Sequence, residues 1–329
     1  MMNLFTVAFI IFIIQLKLQT DATVNESSIC SSISKDGSLT QMCQMISPME
    51  FADLGTVVQV ANVNNLSEVD LVLIKRTILK HGVAVIRRQI LTRQQQVDFT
   101  YRFGRPVVLP PSFEGQDPEP GFPEIQRVTN FWGNGTWKGR SHVFGCYWHK
   151  DGNFLQDGYV YSILYAEKLS QNTAPTKFLD SCQVDISKST FRVLENSNFY
   201  VSVRNIPDFS KASEADLALY PRSKLHPGLY VHPGNGRQCV YITNTLVTDA
   251  NIYTHTHDEL QKAWNEVISV TRKYDHEWME GDLVIWDNLA TMHRAGCKNS
   301  ASLSANPQPR MLYRTQAFEL KTPDCGKEL

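Results

Sequence analysis

Tyr147-Trp148-His149-Lys150-Asp151 is the stretch that decides the fold. His149 and Asp151 are two residues apart, and side chains at that spacing point to the same face of an extended strand. A second histidine, His293, follows far downstream and can complete a triangle of ligands around one metal ion. Two histidines and one carboxylate on one face form the facial triad that holds non-heme Fe(II) and leaves other coordination positions open.

Arg310 follows His293 in the sequence and adds a basic residue to the three candidate metal ligands. Its planar guanidinium can hold a carboxylate through two parallel hydrogen bonds, which the point charge of a lysine cannot do. A His-x-Asp pair alone often arises by chance, but His149, Asp151, His293 and Arg310 in this order form a more specific pattern. The pattern indicates an oxygenase that uses Fe(II) and 2-oxoglutarate.

The composition is that of an ordinary globular protein. The chain has 329 residues, 42% of them hydrophobic and 20% charged, with a formal net charge of −1. This length suffices for one large domain or two small ones. The near-neutral charge provides no electrostatic footprint for nucleic acid, so we expect no nucleic-acid partner.

The amino terminus resembles a targeting signal. Residues 4–16 are almost unbroken apolar sequence, short for a bilayer span but typical of a signal-peptide core. We predict a signal peptide over residues 1–22 and an amino-terminal extension over residues 23–50; an uncleaved signal anchor is the alternative. After signal removal we expect a protein of the secretory pathway, secreted or in the ER lumen, with no membrane association. Residues 326–329 resemble an ER-retrieval tail but lack its acidic residue before Glu-Leu.

Glycosylation sequons and cysteines are consistent with the secretory pathway. Asn25, Asn65 and Asn134 each begin an Asn-x-Ser/Thr sequon. An oxidising compartment allows some of the seven cysteines to pair, and the odd number leaves at least one unpaired within the chain. Cys30 and Cys43 would close a short local loop and are the predicted disulfide, although several cysteines could instead be buried thiols.

Hydrophobic periodicity predicts helices first and strands afterwards. Ser67 and Thr92 are expected to cap two amino-terminal helices, and a third helix is expected at about 257–270. Residues 104–125 are rich in Pro and Gly and predict a long loop. Strands are expected over residues 56–60, 82–87, 159–165, 176–179, 199–203, 229–232, 238–243, 283–286 and 310–318.

This order of elements predicts the fold class. Many strands at irregular spacing, with helices at the start and one inserted late, indicate a mainly β protein with helices. The expected architecture is a double-stranded β-helix (jelly roll, cupin-like) with amino-terminal and inserted helices. We place this domain at residues 51–320, followed by a carboxyl-terminal tail at 321–329.

From residue 51 to residue 320 the chain resembles the taurine dioxygenase (TauD/TfdA-like) family. Six stretches occur in the order typical of that family. They are His81-Gly82-Val83-Ala84-Val85-Ile86-Arg87, Phe103-Gly104-Arg105-Pro106, Tyr147-Trp148-His149-Lys150-Asp151, Val231-His232-Pro233-Gly234-Asn235-Gly236-Arg237, Gly281-Asp282-Leu283-Val284-Ile285-Trp286-Asp287-Asn288 with His293, and Arg310-Met311-Leu312-Tyr313-Arg314.

The resemblance implies an Fe(II)/2-oxoglutarate-dependent dioxygenase. His149, Asp151 and His293 would bind Fe(II), and no further catalytic residue is expected beyond the ligands of the metal and the cosubstrate. Arg310 would hold the distal carboxylate of 2-oxoglutarate, with help from Thr176. Arg314 would lie near the cosubstrate, where it can contact an anionic substrate.

The implied reaction oxidises a C–H bond of a small molecule, with hydroxylation as the default outcome. It consumes O2 and converts 2-oxoglutarate to succinate and CO2, and ascorbate is a supporting reductant in such systems. Taurine is not the expected substrate, because residues 107–110 lack the sulfonate-binding histidine of the taurine enzyme. A non-catalytic binding protein on the same fold and a lumenal hydroxylase of protein side chains are the alternatives, and a homo-oligomer stays open.

Overall fold

The computed structural model describes most of the predicted domain. The described residues are 46–48, 54–108, 118–131, 145–155, 160–169, 173–182, 184–205, 213–219, 224–242, 255–296 and 310–318. The chain divides into two units, Met1–Ile46 and Ser47–Leu329. The predicted signal peptide, the carboxyl-terminal tail, Asn25, Asn134 and the Cys30–Cys43 pair lie outside the described residues.

Five α-helices occur in the described residues, and the two amino-terminal caps are as predicted. Ser67 and Asp70 form a reciprocal capping box at the first helix, and Thr92 and Gln95 form one at the second. Thr256 caps the last helix in the same way. The helices are α1 (Glu68–His81), α2 (Arg93–Tyr101), α3 (Lys188–Glu195), α4 (Glu214–Leu217) and α5 (His257–Val270), with 3-10 turns at Val63–Asn65 and Val203–Asn205.

The strands form one large sheet, one three-stranded sheet and two hairpin-like pairs. They are β1 (Ile46–Pro48), β2 (Thr56–Val58), β3 (Val83–Ile86), β4 (Arg105–Pro106), β5 (Pro118–Glu119), β6 (Phe122–Thr129), β7 (Tyr161–Lys168), β8 (Thr176–Asp180), β9 (Asn198–Val201), β10 (Lys224–Pro227), β11 (Leu229–Val231), β12 (Gln238–Val240), β13 (Lys273–His276), β14 (Leu283–Asp287), β15 (Thr291–Ala295) and β16 (Met311–Phe318). The large sheet has the order β1-β2-β3-β14-β7-β16-β6-β5, with β4 also paired to β16, and the three-stranded sheet has the order β13-β8-β15.

The large sheet has a helix-covered face and an interior face. The Thr315 hydroxyl of β16 lies 2.7 Å from the Thr100 hydroxyl of α2. Leu312 is three residues away on the same strand, so its side chain points to the opposite face, where it belongs to the core between the sheets. Because successive side chains alternate, Arg310 and Arg314 share the interior face with Leu312. The R-x-x-x-R spacing therefore directs both arginines into the interior.

The interior core is shared by the two sheets. Trp286 of the large sheet and Phe178 of the three-stranded sheet pack edge to face, with ring centroids 5.5 Å apart. Tyr274 of β13 and Leu164 of β7 belong to the same buried cluster. Two facing sheets with helices on the outer side agree with the predicted jelly roll.

One expectation about local structure was wrong. Residues 104–125 do not form a continuous loop, because β4, β5 and the start of β6 fall within them. Pro118 and Pro123 suggested a loop, yet proline is compatible with the ends and edges of strands. Pro118 lies in the short edge strand β5, and Pro123 is the second residue of β6.

A disulfide joins Cys182 to Cys239, a pair that the sequence did not single out. It links the end of β8 to β12 across a sequence separation of 57 residues. Cys146 is also disulfide-bonded. Both cysteines of the described bond are buried, so the bond belongs to the core around Ala290.

We predict that replacing Cys182 and Cys239 together by Ala lowers the free energy of unfolding by about 4 kcal/mol, from the loop-closure entropy of a crosslink of this length. The measurement is urea denaturation of wild type and double variant without reductant, where the Cys146 bond is common to both. A loss below about 1 kcal/mol would contradict this stabilising role.

Candidate metal centre

His149 and His293 come together through a short antiparallel bridge. The His149 amide donates to the His293 carbonyl at 3.0 Å, and the His293 amide donates to the His149 carbonyl at 2.9 Å. His293 lies on β15, while Asp151 begins a turn directly after the bridge. The extended segment that was expected to reach Asp151 therefore ends before that residue. The bridge between His149 and His293 aligns the two histidines.

The three candidate ligands converge on one point. One ligand atom from each of His149, Asp151 and His293 lies within 4.8 Å of the other two. The His149 Nε2 atom is 4.0 Å from Asp151 Oδ1, and His293 Nε2 is 3.7 Å from Asp151 Oδ2. Across the described ranges this is the single group of three or more His, Cys, Asp or Glu side chains with such a geometry.

The protonation states suit metal binding. Burial lowers the pKa of His293 to about 3, so its imidazole is neutral and keeps a lone pair. Burial alone would raise the pKa of Asp151, but the positive charge of Arg314 and a hydrogen bond from Ser162 act against burial, and the pKa lies well below its usual range. Its carboxylate is therefore ionised.

The His149 ring is oriented by its own backbone. Its Nδ1 atom lies 2.8 Å from the Tyr147 carbonyl oxygen, which can only accept a hydrogen bond. The proton therefore sits on Nδ1. The Nε2 atom, on the side of Asp151, keeps a lone pair that can bind a metal. Two imidazoles and one carboxylate form a donor set that fits Fe(II).

Asp151 has hydrogen-bond partners on both carboxylate oxygens. Ser162 of β7 donates to Oδ2 at 2.7 Å, and Arg314 donates from Nη1 to Oδ1 at 2.8 Å. Arg314 in turn donates from Nε to Gln126 Oε1 at 2.8 Å, and its Nη2 also bonds that oxygen. The guanidinium therefore bridges β6 to the carboxylate of a candidate metal ligand.

The backbone around Asp151 is held by the turn that follows β14. The Asn288 side chain accepts from the Asp151 amide at 2.9 Å and donates to the Asp151 carbonyl at 2.7 Å. Lys150 points away from the triad into a buried site, where its ammonium donates to the Leu289 carbonyl and to Ser181 Oγ at 3.0 Å. Hydrogen bonds therefore fix both the Lys150 side chain and the Asp151 backbone.

Arg310 is partly buried, and desolvation lowers the pKa of its guanidinium. Its amide donates to Asn130 Oδ1 at 2.9 Å, but its Nε atom is buried without a partner, and none of the described residues forms an ion pair with its side chain. A buried cation without an anion is costly unless a ligand supplies one. The distal carboxylate of 2-oxoglutarate fits this requirement.

Thr176 lies on β8 opposite Ala295, two residues from Phe178, which pairs with His293. Its hydroxyl accepts a hydrogen bond from Trp278 Nε1 at 3.1 Å, and its proton can still be donated. The predicted roles of Thr176, Arg310 and Arg314 toward a cosubstrate or substrate stay predictions.

Comparison with known proteins identifies the family. The sequence model of the "Taurine catabolism dioxygenase TauD, TfdA family" matches residues 46–316. The chain belongs to this family. TauD-type enzymes use Fe(II), 2-oxoglutarate and O2, so the chain is an alpha-ketoglutarate-dependent dioxygenase with a His–Asp–His metal centre.

Characterised relatives act on small molecules. The chain is 23% identical over 269 residues to the (S)-phenoxypropionate/alpha-ketoglutarate-dioxygenase of Sphingobium herbicidovorans, covering 76% of this chain and 88% of that protein. It is 25% identical over 228 residues to the alpha-ketoglutarate-dependent 2,4-dichlorophenoxyacetate dioxygenase of a Burkholderia species, covering 65% and 75%.

Solved structures confirm the predicted jelly roll. AAD-2 in complex with Mn(II) and N-oxalylglycine superposes with a TM-score of 0.67 at 20% identity, covering 84% of this chain and 98% of that one. A taurine dioxygenase from Burkholderia xenovorans gives a TM-score of 0.63 at 19% identity, covering 83% and 90%. The boundaries predicted at residues 51 and 320 stay a prediction.

Sequence reasoning missed the supports of the site. Asn288 belongs to one of the motifs quoted above. The motif could not show that the Asn288 side chain hydrogen-bonds to the Asp151 backbone at a sequence distance of 137. Ser162 and Gln126 carried no motif signal. His232 lies outside the site and accepts a hydrogen bond from the Gly234 amide at 3.1 Å within its own turn. His255 instead lies 3.9 Å from Glu259.

We predict that Asn288→Ala weakens Fe(II) binding about 10- to 100-fold, because the Asp151 backbone loses both side-chain hydrogen bonds that fix it. The measurement is anaerobic calorimetric titration with Fe(II), and circular dichroism checks the fold. Asn265→Ala, at an exposed position of α5, is the matched control. Wild-type affinity in a folded Asn288→Ala variant would contradict the prediction.

Proposed function

We propose that this dioxygenase hydroxylates a C–H bond of a small molecule while 2-oxoglutarate is converted to succinate and CO2. The observation that carries the proposal is Arg310, whose buried Nε atom has no partner among the described residues and which lies on the same interior face as Arg314, the residue that contacts Asp151 of the triad. A metal triad alone would suit many reactions. A metal triad beside a buried cation without an anion selects a dicarboxylate cosubstrate.

Each residue has a distinct task in this proposal. His149, Asp151 and His293 hold Fe(II), which with bound 2-oxoglutarate and O2 supplies the oxidising power for C–H cleavage. Arg310 binds the distal carboxylate of 2-oxoglutarate, and the Thr176 hydroxyl adds a donor to it.

Arg314 has a role in positioning Asp151. Its hydrogen bond to Oδ1 and the Ser162 bond to Oδ2 fix the plane of the carboxylate. A fixed carboxylate needs less reorganisation when it binds a metal, which favours one coordination geometry.

The alternatives lack a specific observation in their favour. A non-catalytic binding protein would not need the three ligands, Arg310 and the hydrogen bonds around Asp151 to be kept together. A hydroxylase of protein side chains would need an open groove beside the metal. The described pocket beside Arg314 is bounded by side chains of β6 and β16, among them Gln126 and Gln316.

We also infer that the protein enters the secretory pathway. The apolar segment 4–16, the sequons and the cysteines motivate this proposal. The Cys182–Cys239 bond and the exposed position of Asn65 support it. No helix in the described part of the chain has the length and apolar character of a membrane span. We expect a secreted or lumenal enzyme, glycosylated at its sequons.

The function is tested by anaerobic titration of the purified mature protein with Fe(II) and 2-oxoglutarate, followed by visible absorbance. We expect the metal-to-ligand charge-transfer band of this enzyme class in wild type and its loss in His149→Ala. We expect Arg310→Lys to retain the band but to raise the 2-oxoglutarate concentration needed by roughly 30-fold or more, because a bidentate contact becomes a single one.

Two results would count against the proposal. A folded wild type with excess Fe(II) and no band would support the non-catalytic binding protein. An unchanged 2-oxoglutarate affinity in Arg310→Lys would remove Arg310 from the cosubstrate site. His257→Ala, at the start of α5, serves as a histidine control that should leave the band unchanged.

The secretory proposal is tested by expressing the full chain in a eukaryotic cell and treating the product with an N-glycosidase. We expect a mobility shift on treatment, and Asn65→Gln should reduce the shift by one glycan. A protein that remains in the cytosol with an intact amino terminus would refute this localisation.

A further inference from the structure

Lys150 separates the metal ligands His149 and Asp151 in the sequence, and its ammonium lies in a buried polar site. Only 8% of the residue is exposed. Its Nζ atom donates to Ser181 Oγ and to the Tyr230 hydroxyl, each at 3.0 Å, and also to the carbonyl oxygen of residue 289. A buried ammonium is costly unless its N–H groups have partners, and here three N–H groups meet three oxygens.

The directions of the hydroxyl protons show that all three oxygens accept from Lys150. Ser181 Oγ donates its own proton to the Ala290 carbonyl oxygen at 2.8 Å, and the Tyr230 hydroxyl donates to the Leu289 carbonyl oxygen. Neither hydroxyl keeps a proton for the lysine, so each can only accept from it. The site therefore matches a primary ammonium with three donors, and an apolar side chain of similar length would place apolar atoms against three acceptor oxygens.

One turn holds both Lys150 and the neighbouring ligand Asp151. The Leu289 carbonyl accepts from Lys150, while the side chain of the preceding residue, Asn288, bonds the amide and the carbonyl of Asp151. Asp287 Oδ1 closes the turn by accepting from the Leu289 amide at 2.9 Å. Two consecutive residues of the metal-binding segment are thus held by two consecutive residues of one turn.

The Cys182–Cys239 disulfide crosslinks the two segments that carry the hydroxyls. Ser181 precedes Cys182, and Tyr230 of β11 is the register partner of Cys239 on β12. Tyr230 also packs against the buried cluster that contains both cysteines. The covalent bond limits how far the two hydroxyls can separate, so the ammonium site keeps a fixed geometry.

The charge of Lys150 does not itself favour a metal ion. A cation beside a cation-binding site repels the metal, so electrostatic attraction cannot explain an ammonium at this position. Removal of the charge alone would strengthen metal binding. A favourable contribution of Lys150 to the metal centre must therefore be geometric, and its sign is opposite to that of the charge effect.

We propose that Lys150 is a positioning residue of the metal centre. Its ammonium anchors the segment between the two ligands, so that His149 and Asp151 meet the metal in one geometry. Because Lys150 is the residue between them, a change in its backbone torsions would turn one ligand relative to the other. Residues that orient metal ligands from outside the coordination sphere typically change metal affinity about 10- to 100-fold. The inference concerns the metal centre and does not depend on which substrate the enzyme oxidises.

The test measures anaerobic binding of Fe(II) and Co(II) to the full protein without 2-oxoglutarate, while circular dichroism and thermal unfolding report on the fold separately. Co(II) is the spectroscopic probe, because its visible absorption depends on coordination geometry. Lys150→Met should weaken Fe(II) binding about ten-fold or more and alter the Co(II) spectrum. Lys262→Met, at an exposed position of α5, is the matched control and should behave as wild type.

Two further variants separate positioning from stability. Lys150→Met places apolar atoms against polar oxygens and should lose stability, whereas Lys150→Met combined with Tyr230→Phe also removes one of these oxygens and should regain part of that loss. The double variant should not regain the metal affinity or the Co(II) spectrum. Tyr230→Phe alone keeps the ammonium and two acceptors, and it should weaken Fe(II) binding by less than the loss of Lys150. A lysine that only stabilises the fold would leave the metal affinity of every folded variant unchanged.

The outcomes separate this inference from the proposed reaction. Wild-type Fe(II) affinity with an unchanged Co(II) spectrum, in folded Lys150→Met or in the folded double variant, would overturn the positioning role. Tighter metal binding would overturn it as well, because that is the result expected from lost charge repulsion alone. Lys150-dependent Co(II) binding in a protein that shows no charge-transfer band with 2-oxoglutarate would count against the proposed reaction and leave the role of Lys150 standing.

Discussion

The ionised carboxylate of Asp151, held in a buried site, is the interaction on which the functional centre depends. A buried carboxylate is unfavourable unless charges and donors surround it. Here Arg314 and Ser162 donate hydrogen bonds to its two oxygens, and the Asn288 side chain bonds the amide and the carbonyl of the Asp151 backbone. Each partner comes from a different strand or turn, so the carboxylate geometry depends on the assembled sheets.

The jelly roll explains how these partners meet. β7 and β16 are neighbours in the large sheet, and they bring Ser162 and Arg314 to the same interior face. The three-stranded sheet carries His293 on β15 and holds it opposite that face. The metal centre therefore lies between two sheets whose shared core, built around Trp286 and Phe178, sets their separation.

The charges of the interior face divide the centre into two functional regions. Arg310 is partly buried and pairs with no anion among the residues that the structure describes, which suits the cosubstrate carboxylate. Arg314 is already paired with the Asp151 carboxylate. One strand thus presents two arginines of equal formal charge that differ in what they can bind, because their neighbours differ.

The sequence by itself determined the residues of the triad and the helix caps at Ser67 and Thr92. These features depend on local spacing and on side-chain chemistry, which are visible in a linear chain. The tertiary structure alone decided that Arg314 is bonded to Asp151 at a sequence distance of 163 and that the Lys150 ammonium is bonded to the Leu289 carbonyl. Such pairings depend on strand register and sheet order, because contacts between distant segments leave no periodic signal in the sequence.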